Sequence, residues 1–368
     1  MKKITQILIL VVCCNSFANG QILLRDAMNS FALYFKSKDF AQLEKAKKSI
    51  DDAYKTARDS NYYRANLLRC MIYSTLANAD KDRKLKYVKD PLNEGMFSLA
   101  RLTIPKYNQQ HIYQINYCKK QLANAWLTKA NTDLADNRYS QAYDDYLWSD
   151  SLSGGNINVK SNLAVLSERL GYTSKAIYYY NAYINSGKDV PADYYLALAN
   201  LYEQQSDLNN CVKILKRGAE KYPKNKDLLF KQVNLFSAGK DYNALVLIID
   251  DAINLEPDNI DLYYMAGYAY EMLGKSSLAE TYYKKILTIE PYNYEAHYAL
   301  GLLNLEAYLK NNSRKEALEN AANYLTEASE INPNSVNVLK SLVILYKNTG
   351  DADKLRQIES KLNQVILN

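Results

Sequence analysis

The chain contains few glycines and prolines, and this shortage excludes several classes of protein. Its 368 residues include 12 glycines and 7 prolines. A β-sandwich or barrel needs a turn signal about every 8–12 residues, and a phosphate-binding loop or dinucleotide fingerprint needs clustered glycines. The sequence has neither pattern, so we expect neither an all-β fold nor a nucleotide-binding site of these kinds.

Histidine is also scarce. The two histidines, His111 and His297, lie far apart in the sequence, and no serine stands in a nucleophile elbow. The many carboxylates fall on predicted exposed helix faces or at helix starts. We therefore predict no catalytic activity, no cofactor and no metal site, and we expect His297 to line the core.

Five cysteines do not form the pattern of a disulfide framework. Two of them, Cys13 and Cys14, lie in the N-terminal apolar run, which leaves an odd and widely spaced set of three. A Cys70–Cys118 bridge is one reading. Three buried thiols that act as small apolar side chains are the favoured one.

Long apolar runs are absent except at the N-terminus. A basic start, Lys2-Lys3, precedes the run ILILVVCC (7–14), and small and polar residues follow it. This order is typical of a secretory signal, so we predict a signal peptide at residues 1–20, cleaved after Ala18 or Gly20. A lipoprotein signal, with the lipid on Cys13 or Cys14, is the alternative. We predict no membrane span. The protein is expected to be exported, and either periplasmic or associated with the outer membrane.

What the chain does have is an internal repeat. Four prolines end similar phrases, EKYPKN, NLEPDN, TIEPYN and EINPNS, and they are spaced by 34, 34 and 42 residues. A small or apolar residue stands twelve positions before each proline. Fixed self-similarity of this kind is typical of stacked repeats. The prolines are Pro223, Pro257, Pro291 and Pro333, and the residues before them are Cys211, Leu245, Ala279 and Ala321.

The clearest unit, residues 260–293, predicts a pair of helices. Its apolar residues recur at helical spacing before and after Gly274, which is expected to separate the two helices. Gly267 and Ala279 are small where the helices should cross closely. Many of the 34 tyrosines, Tyr263 and Tyr283 among them, fall where hairpins should wedge together.

This unit closely resembles the tetratricopeptide repeat family, whose pattern of aromatic, Gly, Tyr, Ala and Pro positions it follows. The resemblance covers about two thirds of the chain and implies an all-α, right-handed α-solenoid of stacked helix hairpins. About eight extra residues are expected to lengthen the helices of the sixth repeat. The predicted repeats are 123–156, 157–191, 192–225, 226–259, 260–293, 294–335 and 336–368.

Residues 21–122 are less regular. Helical patterns run over about 21–36, 40–57 and 62–76, then from Pro91 to Arg101 and from Tyr107 onward. The charged stretch 80–86 is predicted to be a solvated loop. We interpret the region as degenerate hairpins on the same stack, with a separate N-terminal cap as the alternative.

The resemblance also implies a binding surface, because positions 2, 5, 9 and 12 of each first helix face the concave groove in that family. Asn side chains there can hydrogen-bond a peptide backbone, and exposed Tyr gives contact area at low entropic cost. Position 12 carries Glu168, Glu203 and Glu271. The predicted groove residues are Asn131, Asp193, Leu196, Asn200, Asp227, Phe230, Asn234, Asp261, Tyr264, Tyr268, Glu295 and Tyr298.

These residues predict the kind of partner. A groove with acidic edges and an apolar floor favours a protein or peptide segment that is neutral or basic and partly apolar, and it does not favour a clamp for a C-terminal carboxylate.

With 46 basic and 40 acidic residues, the charge of the whole chain is too balanced to indicate binding of nucleic acid. The chain looks like a non-catalytic scaffold or adaptor of the bacterial envelope. The alternatives are a lipid-anchored structural scaffold, and a module or hydrolase that binds a glycan or small ligand.

Overall fold

The computed structural model describes the backbone of residues 2–55, 61–311 and 313–367, and the side chains from residue 20 onward in these ranges. The described residues form twenty α-helices and no strand. Helices that follow one another in sequence pack together in pairs. The predicted all-α class of stacked helix pairs is confirmed.

The chain divides into two compact units, Met1–Val190 and Pro191–Asn368, which we call unit 1 and unit 2. The predicted start of the regular repeats, at residue 123, lies inside one continuous helix that runs from Ile112 to Ala135. The irregular region and the first predicted repeat therefore share a helix.

Unit 1 contains nine of the described helices, and its first helix includes most of the predicted signal peptide. The side chains of residues 1–19, including Cys13 and Cys14, lie outside the described part of the chain. The helices are α1 (Lys2–Ser37), α2 (Phe40–Ala53), α3 (Tyr63–Ala79), α4 (Pro91–Ala100), α5 (Pro105–Gln110), α6 (Ile112–Ala135), α7 (Tyr139–Ser153), α8 (Ile157–Arg169) and α9 (Thr173–Ile184).

Unit 2 contains the other eleven described helices. A helix begins at residues 192, 226, 260, 294 and 336, the first residues of the five repeats predicted there. The helices are α10 (Ala192–Gln204), α11 (Leu208–Lys221), α12 (Lys226–Ala238), α13 (Tyr242–Leu245), α14 (Ile249–Leu255), α15 (Ile260–Met272), α16 (Ser276–Ile289), α17 (Tyr294–Lys310), α18 (Lys315–Ile331), α19 (Val336–Thr349) and α20 (Ala352–Leu367).

Close helix crossing explains a glycine in unit 2. A Cβ atom added to Gly267 on α15 would lie 2.6 Å from the ring of Tyr283 on α16. The chain turns between these two helices at Gly274, whose φ of +70° is a conformation that glycine adopts without strain. The expected close approach at Gly267 is confirmed.

Two repeats of unit 2 depart from the regular hairpin. In the sixth, α17 and α18 have 17 residues each, as expected from its extra residues, whereas α15 and α16 have 13 and 14. In the fourth, the second helix is broken into α13 and α14, which the period did not predict. The amides of Leu247 and Ile248 bond three residues back rather than four, in a β-branched stretch with low helix propensity.

His297 has a structural explanation. It is 8% exposed, and its Nε2 lies 2.9 Å from the carbonyl oxygen of Pro291. Tyr263 occupies the same repeat position one repeat earlier, and its hydroxyl donates to the carbonyl of Pro257 at 2.9 Å. The two side chains thus tie their helices to the preceding turn in the same way, and the prediction that His297 lines the core is confirmed.

The cysteines of the described region are free thiols. Cys70, Cys118 and Cys211 are all buried and unbridged, as favoured from the sequence. Cys70 on α3 lies beside Cys118 on α6, and contact with that thiol together with burial raises its pKa well above the usual value. The alternative Cys70–Cys118 disulfide is not formed in this structure.

Unit 1 buries an arginine between two helices. Arg69 is 6% exposed, and its guanidinium contacts Asp51 at 2.5 Å and Glu94 at 2.6 Å. The rings of Tyr54 and Tyr73 lie 4.6 and 4.4 Å from the guanidinium carbon. Two carboxylates and two aromatic faces therefore compensate the buried positive charge.

A second set of paired charges lies between α6 and α7. The ammonium of Lys129 contacts Asp133 at 3.1 Å and Asp145 at 2.5 Å, and Arg138 contacts Asp133 at 2.6 Å. Burial, with the neighbouring Asp133, raises the pKa of Asp145 to about 6, although Lys129 opposes the rise. The pKa of Asp133 is lowered, because hydrogen bonds from its neighbours outweigh its own burial.

Candidate functional site

Eleven of the twelve predicted groove residues lie in unit 2, on the first helices of four successive repeats. These are α10, α12, α15 and α17. The twelfth, Asn131, lies on α6 in unit 1. None of the twelve is buried. The unit 2 residues therefore keep exposed surface, and they form three sets that differ in chemistry.

The first set, which we call the acidic row, is exposed and has no ion pair with any described residue. Each acid lies in the first turn of its helix, where a negative charge is favourable. The N-terminal caps come from other side chains: Asn225, Asn259 and Asn293 accept the backbone amides that open α12, α15 and α17. The acidic row consists of Asp193, Asp227, Asp261 and Glu295.

The second set is apolar and aromatic. Leu196, Phe230 and Tyr298 are half-buried, and Tyr264 is 39% exposed. Each of the two tyrosine rings is supported by another tyrosine: Tyr264 lies 5.7 Å from Tyr283, and Tyr298 stacks on Tyr294 at 6.1 Å. These rings are held in place by packing and still present an apolar edge to solvent.

The third set, position 9, is not uniform. Asn200 and Asn234 have no hydrogen-bond partner among the described residues, so their amides can bind another chain. Tyr268 is 41% exposed and packs its ring 5.9 Å from Tyr242. In unit 1, by contrast, Asn131 accepts a hydrogen bond from the hydroxyl of Tyr146 at 2.6 Å. The amide oxygen of Asn131 is therefore already used in a hydrogen bond between α6 and α7.

The acids at position 12 have hydrogen-bond or ion-pair partners within the chain, which the sequence pattern did not reveal. The hydroxyl of Tyr180 donates to Glu168 at 2.5 Å, and that of Tyr283 donates to Glu271 at 2.9 Å. Glu203 pairs with Lys231 at 2.5 Å. The position 12 acids thus already have partners in the chain, whereas the carboxylates of the acidic row have none among the described residues.

Nearby lysines do not neutralise the acidic row. Lys226 is bound to Glu256 at 2.5 Å and lies 5.5 Å from the ring of Phe230, and Lys231 is the partner of Glu203. Because both lysines already have carboxylate partners, the exposed acids leave a negative surface beside the apolar set.

A second surface was missed at the sequence level. A cavity of about 810 Å³ in unit 1 is lined by apolar residues of α1 and α3. The apolar residues Leu24, Met28, Phe31 and Phe35 follow helical spacing on α1, and this stripe could have indicated the cavity.

In the described ranges, no three His, Cys, Asp or Glu side chains are grouped to hold a metal. No helix there has the length and apolar character to cross a bilayer.

Comparison with known proteins identifies no family. No family model and no curated protein matches the chain. Solved structures of MamA do match. One is 17% identical over 47% of this chain and 91% of its own, with a TM-score of 0.41. Another is 17% identical over 46% and 94%, at 0.39. MamA 41-end from Desulfovibrio magneticus RS-1 is 18% identical over 48% and 93%, at 0.38. The all-α fold is therefore shown by the helices of this chain itself, and not by these distant matches.

Proposed function

We propose that the protein is a non-catalytic scaffold that binds a basic, partly apolar segment of a protein partner along the first helices of unit 2. The acidic row carries this proposal: four exposed acids at equivalent repeat positions, none ion-paired with a described residue. Each acid stabilises the start of its own helix by about 0.3–1 kcal/mol, and an exposed acid without an ion pair also steers and orients a partner of opposite charge.

The other two sets specify more of the partner. Supported tyrosines such as Tyr264 and Tyr268 provide rigid contact area. The free amides of Asn200 and Asn234 can pair with the backbone of an extended segment. A segment that alternates basic and apolar side chains would satisfy the acids and the aromatic edges together.

A defined peptide tests this proposal. The probe is a fluorescein-labelled twelve-residue peptide in which Lys alternates with Leu, compared with the same peptide carrying Glu in place of Lys. The test variant is Asp227→Lys with Asp261→Lys. The matched control is Glu327→Lys with Glu330→Lys, which makes the same change of charge at exposed residues of α18.

Fluorescence anisotropy should show that the Lys peptide binds the wild-type chain and the Glu peptide does not. The groove variant should weaken binding at least about tenfold, and the control should change it by less than about twofold. Equal weakening by both variants would mean that only net charge attracts the peptide, and the acidic row would no longer support a binding site.

The location is a second part of the proposal. The basic start and the apolar run at residues 7–14 support export to the bacterial envelope. Mass spectrometry of the N-terminus of the protein expressed in a Gram-negative host would test it. A new N-terminus at residue 19 or 21 supports export by a cleaved signal, a lipid on Cys13 or Cys14 supports the anchored alternative, and an intact Met1 contradicts both.

A further inference from the structure

The cavity in unit 1 combines two kinds of lining. Its walls come from α1, α3 and the start of α6. Most of the lining is apolar, and much of it is flexible because two methionines contribute to it. The apolar lining includes Leu24, Met28, Phe31, Phe35, Leu68 and Met71.

Several of these side chains remain in contact with solvent. Met28 is 56% exposed, Phe35 is 41% exposed, and Tyr62 at the rim is 48% exposed. Apolar side chains gathered in one concave surface and left uncovered are typical of a binding site. The volume of about 810 Å³ lies in the range of small-molecule sites, about 300–1,000 Å³.

The charged lining has one sign. The charged side chains that line the cavity are Arg25 and Arg64, both exposed, and no Asp or Glu lines it. Neither arginine has an ion pair with any described carboxylate. This contrasts with Arg69 of the same unit, which is bound by two acids. A guanidinium beside an apolar cavity is suited to an anionic oxygen, which it can bind through two parallel hydrogen bonds.

We propose that this cavity binds a long-chain aliphatic carboxylate. The acyl chain lies against the apolar walls from α1 and α3, and the carboxylate is bound by Arg25 or Arg64. The charge favours this ligand over a neutral one, because only an anionic head group can pair with the exposed guanidinium groups. The proposed site lies in unit 1 and is independent of the peptide surface proposed for unit 2.

The test uses the full chain and two probes, 11-(dansylamino)undecanoic acid and its methyl ester, which differ only in the charge of the head group. The test variant is Arg25→Glu with Arg64→Glu. The matched control is Lys119→Glu with Lys120→Glu, two exposed residues of α6 that do not line the cavity. Circular dichroism confirms that both variants keep their helical content.

Dansyl fluorescence should show saturable binding of the acid to the wild type and the control, and at least about tenfold weaker binding to the test variant. The ester should bind the wild type more weakly than the acid, and should not distinguish the two variants. Equal affinity for acid and ester, equal effects of both variants, or no saturable binding would overturn the proposal. Displacement by an acidic amphipathic peptide but not by oleate would also overturn it, in favour of a protein ligand.

Discussion

The two units use their charged residues differently. In unit 1, Arg69 is enclosed by two acids and two tyrosine rings, and the buried Asp133 and Asp145 are paired with Lys129. In unit 2, the acidic row lies in solvent without ion pairs to described residues. A buried charge must be compensated within the fold, so the paired charges of unit 1 contribute to its stability. The exposed acids of unit 2 remain free for a partner.

The largest expected effect tests the first half of this comparison. Arg69→Met leaves Asp51 and Glu94 facing a side chain that cannot pair with them, so the free energy of unfolding should fall by about 3–5 kcal/mol. The matched change in unit 2 is Lys226→Met, which breaks the more exposed pair with Glu256 and should lower the free energy of unfolding much less.

Urea titration followed by circular dichroism measures both losses, and amide hydrogen exchange assigns them to α3 or α12. Exchange in α3 should accelerate in the Arg69 variant while α12 stays protected. If the two variants lose the same free energy of unfolding, the buried charges around Arg69 stabilise the fold no more than an exposed ion pair does. The proposed difference between the units would then be wrong.

Periodicity made the regular part of the fold predictable. Repeated prolines and small residues gave the starts of α10, α12, α15, α17 and α19, because each helix pair buries the same face. The same pattern cannot report contacts that differ between repeats. It placed Glu203 and Glu271 on the groove edge, whereas Lys231 and Tyr283 bind them.

Features outside the period were harder to predict. At the break between α13 and α14, backbone amides bond to carbonyls three residues back instead of four. This choice depends on the local residues of one repeat, and a pattern shared by all repeats does not show it. The unit 1 cavity arises because side chains from three helices come together without filling the space between them. Sequence shows the apolar stripe of each helix but not the gap they leave.

A second prediction compares the close helix crossings of the two units. Gly267→Ala should cost about 1–3 kcal/mol, since its new methyl group overlaps the ring of Tyr283. In a Tyr283→Ala background the same change should become neutral or stabilising, because alanine favours a helix by about 1 kcal/mol over glycine. Chemical denaturation of the four chains gives this double-mutant cycle.

Gly95 in unit 1 is the counterpart. A Cβ there would lie 2.8 Å from Leu122 and also 3.3 Å from the backbone nitrogen of Ser74. Backbone cannot be removed by mutation, so Gly95→Ala should remain destabilising even in a Leu122→Ala background. Two results would show that side-chain overlap does not distinguish the two crossings. One is a Gly95→Ala change that costs no stability in the Leu122→Ala background, and the other is a Gly267→Ala change that stays as costly in the Tyr283→Ala background.

A third, smaller effect concerns the regularity of unit 2. His297→Tyr should retain stability, because Tyr263 makes the same bond to its own turn, whereas His297→Phe should lose about 1 kcal/mol with the hydrogen bond. Tyr263→Phe should show a similar loss. Thermal unfolding at pH 7.5 measures all three, and equal melting temperatures for the Tyr and Phe variants at 297 would contradict the assigned role.

The last prediction returns to the paired charges of unit 1 and depends on pH. The pKa of Asp145 is raised to about 6 from its ordinary 3.8, so between these values the folded chain takes up a proton that the unfolded chain does not. Stability from this group is therefore gained as the pH falls from 7 to 5, by about 1 kcal/mol.

Asp133 does not cancel this gain, because its lowered pKa keeps it ionised beside Lys129 and Arg138 in that window. Urea titrations of the wild type and Asp145→Asn at pH 7 and pH 5 isolate the effect, with the exposed neighbour Asp144→Asn as control. The wild type and the control should gain stability relative to Asp145→Asn on acidification. A constant difference would mean that Asp145 is already ionised at pH 5, and that Lys129 compensates its burial completely.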